Sequence, residues 1–263
     1  MYPTILIGSF KLSTHLVLNL LAAIAVGIFA NYRALKRGYR STVNEVINLV
    51  FYLALGVLGG AYLGLFIPYA TNHLAGNPAP AQWWLSGQNW FGAVTGGSLA
   101  GLLYCKHNHR PVGWSFDLFA PLLPLALAIV RIGCQLAGDS YGKLTSTWLA
   151  MRLPDDHGLW ANRYPTQIVD TLINLLILFA LLSFERWTIQ SGKGRGWPFE
   201  GFLFWLYVLL FCGQRLYFEA WRGDTPILFG TWTWNHLYSL LGFMAALVGI
   251  AWELRRASTL KPT

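Results

Sequence analysis

Long apolar stretches, separated by short polar segments, recur along the whole chain. A helix needs about 20 predominantly apolar residues to cross a bilayer. Seven stretches approach this pattern: Leu12 to Tyr32, Val46 to Phe66, Trp90 to Cys105, Leu118 to Gly138, Ile168 to Phe184, Gly201 to Phe218 and His236 to Glu253. The pattern predicts an all-α integral membrane protein, a bundle of about seven transmembrane helices that forms one polytopic domain over residues 1–263.

The third stretch is shorter than the others and rich in glycine, with Gly96 and Gly97 near its middle. Small residues allow the backbones of neighbouring membrane helices to approach closely. We therefore expect this segment to pack tightly or to expose backbone to a cavity.

Basic residues are distributed unevenly between the two sides of this bundle. Twelve lie in one alternating set of connections: Arg33, Lys36, Arg37, Arg40, Lys106, Arg110, Arg186, Lys193, Arg195, Arg255, Arg256 and Lys261. Five lie in the opposite set: Lys11, Lys143, Arg152, Arg163 and Arg222. Because cytoplasmic loops carry the excess of Lys and Arg, the distribution predicts an N-terminus outside and a cytoplasmic C-terminus.

The composition supports a membrane protein and excludes a water-soluble domain. Hydrophobic residues make up 55% of the chain and charged residues 11%, with a mean hydropathy of +0.44, whereas soluble domains carry roughly 25% charged residues. The net charge of +8 follows from the excess of basic residues, and we expect no nucleic-acid partner. The three cysteines lie in apolar stretches without metal-ligand spacing, so we expect neither a disulfide framework nor a metal site.

Two connections on the predicted outer side are long. Residues 67–89 contain several Trp and Pro residues, which is typical of an interfacial loop in an aromatic belt. Residues 139–166 form the densest polar segment of the chain. Because functional residues are concentrated in loops held by a rigid scaffold, we expect the site to lie beside residues 139–166.

Two arginines, Arg131 and Arg215, fall inside predicted spans near their outer ends. A charge at the centre of a membrane helix costs about 2.5–3.5 kcal/mol on insertion scales, so such residues usually pair or line a polar cavity. Asp139 follows Arg131 in the chain, and Glu219 lies four residues after Arg215, on the same helix face. The planar guanidinium binds phosphate in a bidentate manner, so the pattern predicts a site for an anionic lipid headgroup.

The segment that begins at Arg131 reads R-I-G-C-Q-L-A-G-D-S-Y-G. It resembles the signature G-R-x-G-N-F-x-N-G-E-x-x-G of the bacterial prolipoprotein diacylglyceryl transferases. Further similarities follow the order of that family: Asn44-Glu45, Gly96-Gly97, Asp117 with Pro121 and Pro124, Arg163-Tyr164-Pro165-Thr166-Gln167, and Arg215 with Glu219 and Arg222. The resemblance covers about residues 12 to 253 and agrees with the seven-span topology.

This resemblance implies an enzyme that transfers a diacylglyceryl group from phosphatidylglycerol to the lipobox cysteine thiol of a preprolipoprotein and releases glycerol phosphate. It implies a bacterial cytoplasmic (inner) membrane location, an active site at the outer leaflet, and no metal or organic cofactor. The implied partners are phosphatidylglycerol, the signal peptide and lipobox of the preprolipoprotein, and other membrane lipids. We expect a monomer.

The resemblance also assigns roles to individual residues. Arg131 and Arg215 are the candidates for binding the phosphate, with Asp139 and Glu219 orienting these arginines. The candidates for substrate binding are glycines that shape the backbone and two polar side chains: Gly96, Gly97, Gly133, Gly138, Gly142, Gln167 and Arg222.

The sequence does not identify the general base, because Thr95 stands where the family has a histidine. Cys134 and Ala137 also replace two signature asparagines. Asp139 or Glu219 are alternative bases, and the acceptor thiol could also ionise beside the arginines, since positive charge lowers a cysteine pKa. The favoured interpretation of Cys134 is a buried, inert thiol.

Other titratable residues are interpreted as structural. We expect the lone histidines His157 and His236 to have structural roles, and Asp117 and Asp170 to cap or pair at helix starts. Two further functions stay open beside the transferase. One is a non-catalytic relative that binds an anionic lipid headgroup or a membrane helix, and the other is a related transferase with a different acceptor.

Overall fold

The computed structural model describes residues 4–7, 10–36, 42–74, 90–155, 158–225 and 227–259. Eight helices carry most of these residues: α1 Thr14–Lys36, α2 Val43–Leu74, α3 Trp90–His107, α4 Val112–Phe119, α5 Leu122–Ala137, α6 Thr166–Gln190, α7 Phe202–Phe218 and α8 Trp234–Thr259. The same ranges contain three antiparallel hairpins: β1 Thr4–Ile7 with β2 Phe10–Ser13, β3 Met151–Pro154 with β4 Trp160–Arg163, and β5 Ile227–Phe229 with β6 Trp232–Thr233. The predicted helical architecture is confirmed, and the structure adds short hairpins to it.

Each predicted span overlaps one or two of these helices. Five segments of the described ranges are long and apolar enough to cross a membrane: Val17–Leu35, Val43–Gly64, Val112–Ala137, Thr166–Gln190 and Trp234–Thr259. Helix α7 has 17 residues, which extend about 25 Å against a hydrocarbon core of about 30 Å. A membrane protein with several apolar helices is therefore confirmed, whereas the presence of seven transmembrane spans stays a prediction.

Backbone contacts divide the chain into two compact units. The unit of residues 31–116 contains α2 and α3, whose glycines bring the two helix backbones together. A Cβ atom at Gly96 would overlap the carbonyl oxygen of Gly56 on α2, and one at Gly97 would press against Val57. The tight packing expected of this segment is confirmed, and a role of Gly96 and Gly97 in substrate binding stays a prediction.

Gly60 allows a direct test of this helix contact. A Cβ atom there would overlap the backbone carbonyl of Gly92, and overpacking commonly costs about 1–3 kcal/mol. We expect Gly60→Ala to lower the thermal unfolding midpoint of the purified protein in detergent. The adjacent Gly59→Ala is the matched control, because nothing lies within 4 Å of its Cβ position. Equal midpoints for the two variants would contradict the contact.

The other unit contains residues 4–30 and 117–259. In it, α5 packs against α6, and α7 packs against both α6 and α8. Leu118, Leu181 and Phe218 are among its fully buried apolar side chains. Nine of the eleven predicted site residues belong to this unit, and the exceptions are Gly96 and Gly97.

Asp117 connects the end of α4 to the start of α7. Its Oδ2 atom accepts the N–H of Gly201 at 2.8 Å, and its Oδ1 atom accepts the N–H of Phe204 at 3.0 Å. These are donors that the first turn of a helix leaves unpaired. The predicted capping role is confirmed, although the capped helix is α7 and not the helix that carries Asp117.

We expect Asp117→Ala to destabilise the protein by about 1–2 kcal/mol, the usual cost of losing a helix cap. The readout is the thermal unfolding midpoint in detergent. Glu200→Ala is the matched control, because this carboxylate lies next to the same turn but is exposed. A loss at Asp117 no larger than the loss at Glu200 would argue against the cap.

The two predicted outer loops differ from the structure in extent. Helix α2 continues to Leu74 and passes through Pro68, which membrane helices tolerate, so residues 67–74 are helical. The rest of that predicted loop, residues 75–89, lies outside the described residues. The polar segment 139–166 contains the β3–β4 hairpin, and His157 within it also lies outside the described residues.

Candidate functional site

Asp170 joins Arg131 and Arg215, the two arginines that the sequence places inside predicted spans. Its Oδ2 atom lies 2.6 Å from Arg131 Nε and 3.0 Å from Arg215 Nη1. The three residues come from α5, α6 and α7, and Asp170 and Arg215 are buried at 3% and 4% exposure. Asn174, one turn further along α6, donates to Asp170 Oδ1 at 3.0 Å. Both carboxylate oxygens are therefore engaged, and one of them draws two guanidinium groups together.

This arrangement leaves donors for a second anion. A guanidinium has five N–H donors, and one contact of each arginine is with the same oxygen of Asp170. Arg131 Nη1 also approaches Ser140 Oγ at 3.3 Å. Two cations held side by side, Arg215 buried and Arg131 partly buried, favour an anion that can accept several hydrogen bonds at once, and a phosphate group has this property.

Glu219 extends the charged network toward α8. Its Oε2 atom lies 3.6 Å from Arg215 Nε, so the contact predicted from the spacing of four residues is present. Its Oε1 atom accepts hydrogen bonds from Asn235 at 2.7 Å and from Thr233 at 3.3 Å. Glu219 is 1% exposed, and its position is compatible with the predicted role of orienting Arg215.

His236 has the structural role expected from the sequence. Its Nδ1 atom accepts the N–H of Thr233 at 3.1 Å, which closes the turn between β6 and α8. The imidazole is buried at 8% exposure.

Arg222 follows α7 and is paired with Asp224. Its Nε and Nη2 atoms lie 2.9 Å and 2.5 Å from the two oxygens of that carboxylate. The backbone around it is joined to the loop after α5, since Lys143 donates to the Trp221 carbonyl and Gly223 donates to the Tyr141 carbonyl, both at 2.9 Å. Arg222 is thus held beside the site, and its predicted contact with substrate stays a prediction.

Three of the predicted glycines shape α5 and the loop that follows it. Gly138 ends α5 in the left-handed conformation, with φ at 90°, which glycine adopts at little cost. A Cβ atom at Gly142 would overlap the carbonyl oxygen of Tyr164, and one at Gly133 would approach Leu18 on α1. The loop therefore lies close to the start of α6, and α5 lies close to α1.

Gln167 holds this loop in place. Its side-chain nitrogen donates to the Asp139 carbonyl at 2.6 Å, and its oxygen accepts a hydrogen bond from Thr166 at 3.3 Å. Gln167 is 1% exposed. In this structure its contacts are with the protein backbone and Thr166, whereas the sequence predicts a contact with headgroup or substrate.

Asp139 contacts His15 instead of the arginine that the sequence assigns to it. Its Oδ2 atom lies 2.5 Å from His15 Nε2, and Arg131 is paired with Asp170. The left-handed turn at Gly138 directs Asp139 toward α1, while Asp170 already occupies the side of Arg131 that faces α6. The ion pair of Arg131 is therefore with Asp170, and the predicted role of Asp139 in orienting Arg131 is not supported by a direct contact between the two side chains.

The contact between His15 and Asp139 changes the pKa of both groups, which lie just outside the apolar spans. The hydrogen bond to Asp139 raises the pKa of His15 and outweighs its partial burial, which acts in the opposite direction. Burial alone would raise the pKa of Asp139, but the hydrogen bond and charge interaction with His15, with smaller contributions from Cys134 and Arg131, bring it below its usual value. Asp139 is therefore a carboxylate at neutral pH and a poor proton acceptor.

The described residues include one group of three potential metal ligands, His15, Cys134 and Asp139, whose ligand atoms lie within 4.8 Å of one another. Arg131 Nη1 lies 3.9 Å from Cys134 Sγ, and its positive charge would repel a cation at this point. The position of Arg131 therefore disfavours a metal ion at this group. The absence of a metal and of a cofactor stays a prediction.

Comparison with known proteins identifies the family of the chain. Residues 4–252 match the family described as prolipoprotein diacylglyceryl transferase. The chain belongs to the prolipoprotein diacylglyceryl transferase family. Among its relatives, the phosphatidylglycerol–prolipoprotein diacylglyceryl transferase of Clostridium tetani is 32% identical over 77% of this chain and 80% of that protein.

Two further relatives with the same name extend this similarity. The protein of Hydrogenovibrio crunogenus is 29% identical over 89% of this chain and 87% of its own length. The protein of Oleidesulfovibrio alaskensis is 26% identical over 97% of this chain and 94% of its own length. The prolipoprotein diacylglyceryl transferase family is thus matched over nearly the whole chain, and it is a family of transferase enzymes.

Proposed function

We propose that this chain transfers the diacylglyceryl group of phosphatidylglycerol to the lipobox cysteine thiol of a preprolipoprotein and releases glycerol phosphate. The family provides the class of reaction. The observation that carries the proposal for this chain is the convergence of Arg131 and Arg215 on one oxygen of Asp170, because the reaction needs preorganised donors at a phosphate.

In this reaction the acceptor sulfur forms a bond to a glyceryl carbon, and the bond from that carbon to the phosphate oxygen breaks. Negative charge develops on the departing phosphate monoester. Donors fixed in advance at such a charge are often the largest contribution to catalysis. Arg131 and Arg215 would supply these donors, while Asp170 and Glu219 hold the two guanidinium groups in place.

We also propose a location for the reaction. The distribution of basic residues supports seven spans, with an N-terminus outside and a cytoplasmic C-terminus. This orientation would put the loop after α5 and the arginine cluster at the outer leaflet of the bacterial cytoplasmic membrane. The chain would act as a monomer, with the signal peptide and lipobox of the acceptor entering from the lipid.

Complementation tests this function in cells. We expect the wild-type chain to restore growth and prolipoprotein processing in a bacterial strain depleted of its own transferase. A well-expressed, membrane-inserted chain that leaves prolipoprotein unmodified would refute the proposal. Binding of phosphatidylglycerol without transfer would then support a non-catalytic relative, and transfer to other thiols would support a transferase with a different acceptor.

A further inference from the structure

The proposed transfer requires a base, because the thiolate and not the thiol is the nucleophile. Thr95 stands at the position where the family has a histidine. A neutral hydroxyl does not accept a proton at neutral pH, so Thr95 is not this base. Among the alternatives left open by the sequence, Glu219 is 1% exposed and engaged by Arg215, Thr233 and Asn235. Asp139 is bound to His15 and is a weak base.

His15 differs from both carboxylates because one ring nitrogen can stay a proton acceptor while the other is engaged. It lies at the start of α1, just before the apolar segment Val17–Leu35, and its side chain is 35% exposed. Its Nε2 atom faces a carboxylate, which can only accept a hydrogen bond, so Nε2 carries the proton. The lone pair of the neutral ring is therefore on Nδ1, the nitrogen that can accept a proton.

The ring nitrogen Nδ1 faces the α5 segment that carries Arg131. A Cβ atom at Gly133 would lie 4.0 Å from Nδ1, an ordinary van der Waals contact, so this nitrogen is close to the backbone of α5. His15 and Cys134 belong to one cluster, and Arg131 Nη1 lies 3.9 Å from Cys134 Sγ. A thiol beside His15 would thus be close to a phosphate bound by Arg131.

We propose that His15 is the general base of the transfer, accepting the acceptor thiol proton on Nδ1, and that Asp139 is the positioning residue that fixes its tautomer. This inference rests on the proposed function and adds a catalytic residue to it. A carboxylate that orients a histidine base recurs in enzymes, usually with the carboxylate at Nδ1 and the base at Nε2. Here the carboxylate is at Nε2 and the base is Nδ1.

The step balances in protons and electrons. The thiol proton moves to His15 Nδ1, the sulfur lone pair forms the carbon–sulfur bond, and the carbon–oxygen bond to phosphate breaks with its electron pair on the leaving glycerol phosphate. The imidazolium then returns its proton to the phosphate monoester or to water. Asp139 stabilises the imidazolium in the interval through the hydrogen bond already present.

The charged and titratable groups around the imidazole set the direction of its pH dependence. They are Asp139 in the loop after α5, and Cys134 and Arg131 on α5. The hydrogen bond to Asp139 raises the pKa of His15. Because only the neutral ring accepts a proton, the rate should rise with pH and level off above a pKa higher than the usual value of about 6.5.

The test compares His15→Gln with wild type in phosphatidylglycerol vesicles supplied with a lipobox peptide. At pH 7 we expect the variant to be slower by about 10²–10⁴-fold, the usual contribution of a general base. The deficit should shrink as the pH approaches about 8.5, where a thiol ionises without help. His107→Gln is the control, because this histidine is exposed on α3, in the other unit.

Imidazole rescue separates catalysis from folding. We expect added imidazole to raise the transfer rate of His15→Ala and to leave the rate of wild type unchanged. If His15 had only a structural role, imidazole would not restore the rate of the variant. A His15→Gln variant with wild-type rates, or with a deficit constant across pH and no imidazole rescue, would overturn the role of His15 alone. A folded wild-type protein without transfer at any pH would overturn the proposed function, and the role of His15 with it.

Discussion

Arg131→Gln and Arg215→Gln are each expected to slow diacylglyceryl transfer by about 10²–10³-fold, the usual effect of removing a preorganised donor from a developing negative charge. Both guanidinium groups are fixed against Asp170 Oδ2, at 2.6 Å and 3.0 Å. Lysine should not restore the rate at either position, because its ammonium lacks the planar fork of donors. The readout is the initial rate in phosphatidylglycerol vesicles, normalised to folded protein.

Arg152→Gln is the matched control for this pair of variants. Arg152 is exposed on β3, so the same change of charge there should leave the rate within about twofold of wild type, as expected when transition-state contacts are unaffected. Wild-type rates in either Arg131→Gln or Arg215→Gln would refute the assignment of these arginines to the phosphate.

Asp170→Asn is expected to have the second large effect, this time on both stability and activity. Removing one partner of a buried ion pair typically costs about 3–5 kcal/mol, because the remaining charge stays buried without compensation. Here two guanidinium groups would lose the carboxylate between them. We expect a lower thermal unfolding midpoint in detergent and a loss of transfer.

A second substitution separates the two consequences. Adding Arg131→Gln to Asp170→Asn removes one of the uncompensated cations, so the unfolding midpoint should recover in part while transfer stays lost. Asp224→Asn is the control, since this carboxylate pairs with a single arginine, Arg222, and should cost less to neutralise than a carboxylate shared by two arginines. An unchanged midpoint in Asp170→Asn would contradict the central place of this carboxylate.

The helices, and the contacts within a single helix, were predictable from the sequence. The apolar stretches predict the helices because the length and composition that a membrane helix needs are properties of each segment alone. The contact of Arg215 with Glu219 follows from the spacing of four residues. The glycine-rich α3 likewise packs closely against α2, as its small residues indicate.

The contacts between helices were not predictable in the same way. The sequence predicts that Asp170 caps or pairs at the start of its helix. In the structure its arginine partners are on two other helices, α5 and α7. His15 and Asp139 are 124 positions apart, and nothing in either local pattern indicates that they meet. Such pairs depend on how the helices pack and on the backbone turn at Gly138, which a linear pattern does not contain.

The most direct measurement of the central claim uses the purified wild-type protein, phosphatidylglycerol vesicles and a lipobox peptide, with the product analysed by mass spectrometry. The proposal predicts that the peptide gains one diacylglyceryl group in thioether linkage and that glycerol phosphate is released in equal amount. A peptide with serine in place of the lipobox cysteine should gain nothing. An unmodified cysteine peptide in the presence of folded protein would contradict the proposal.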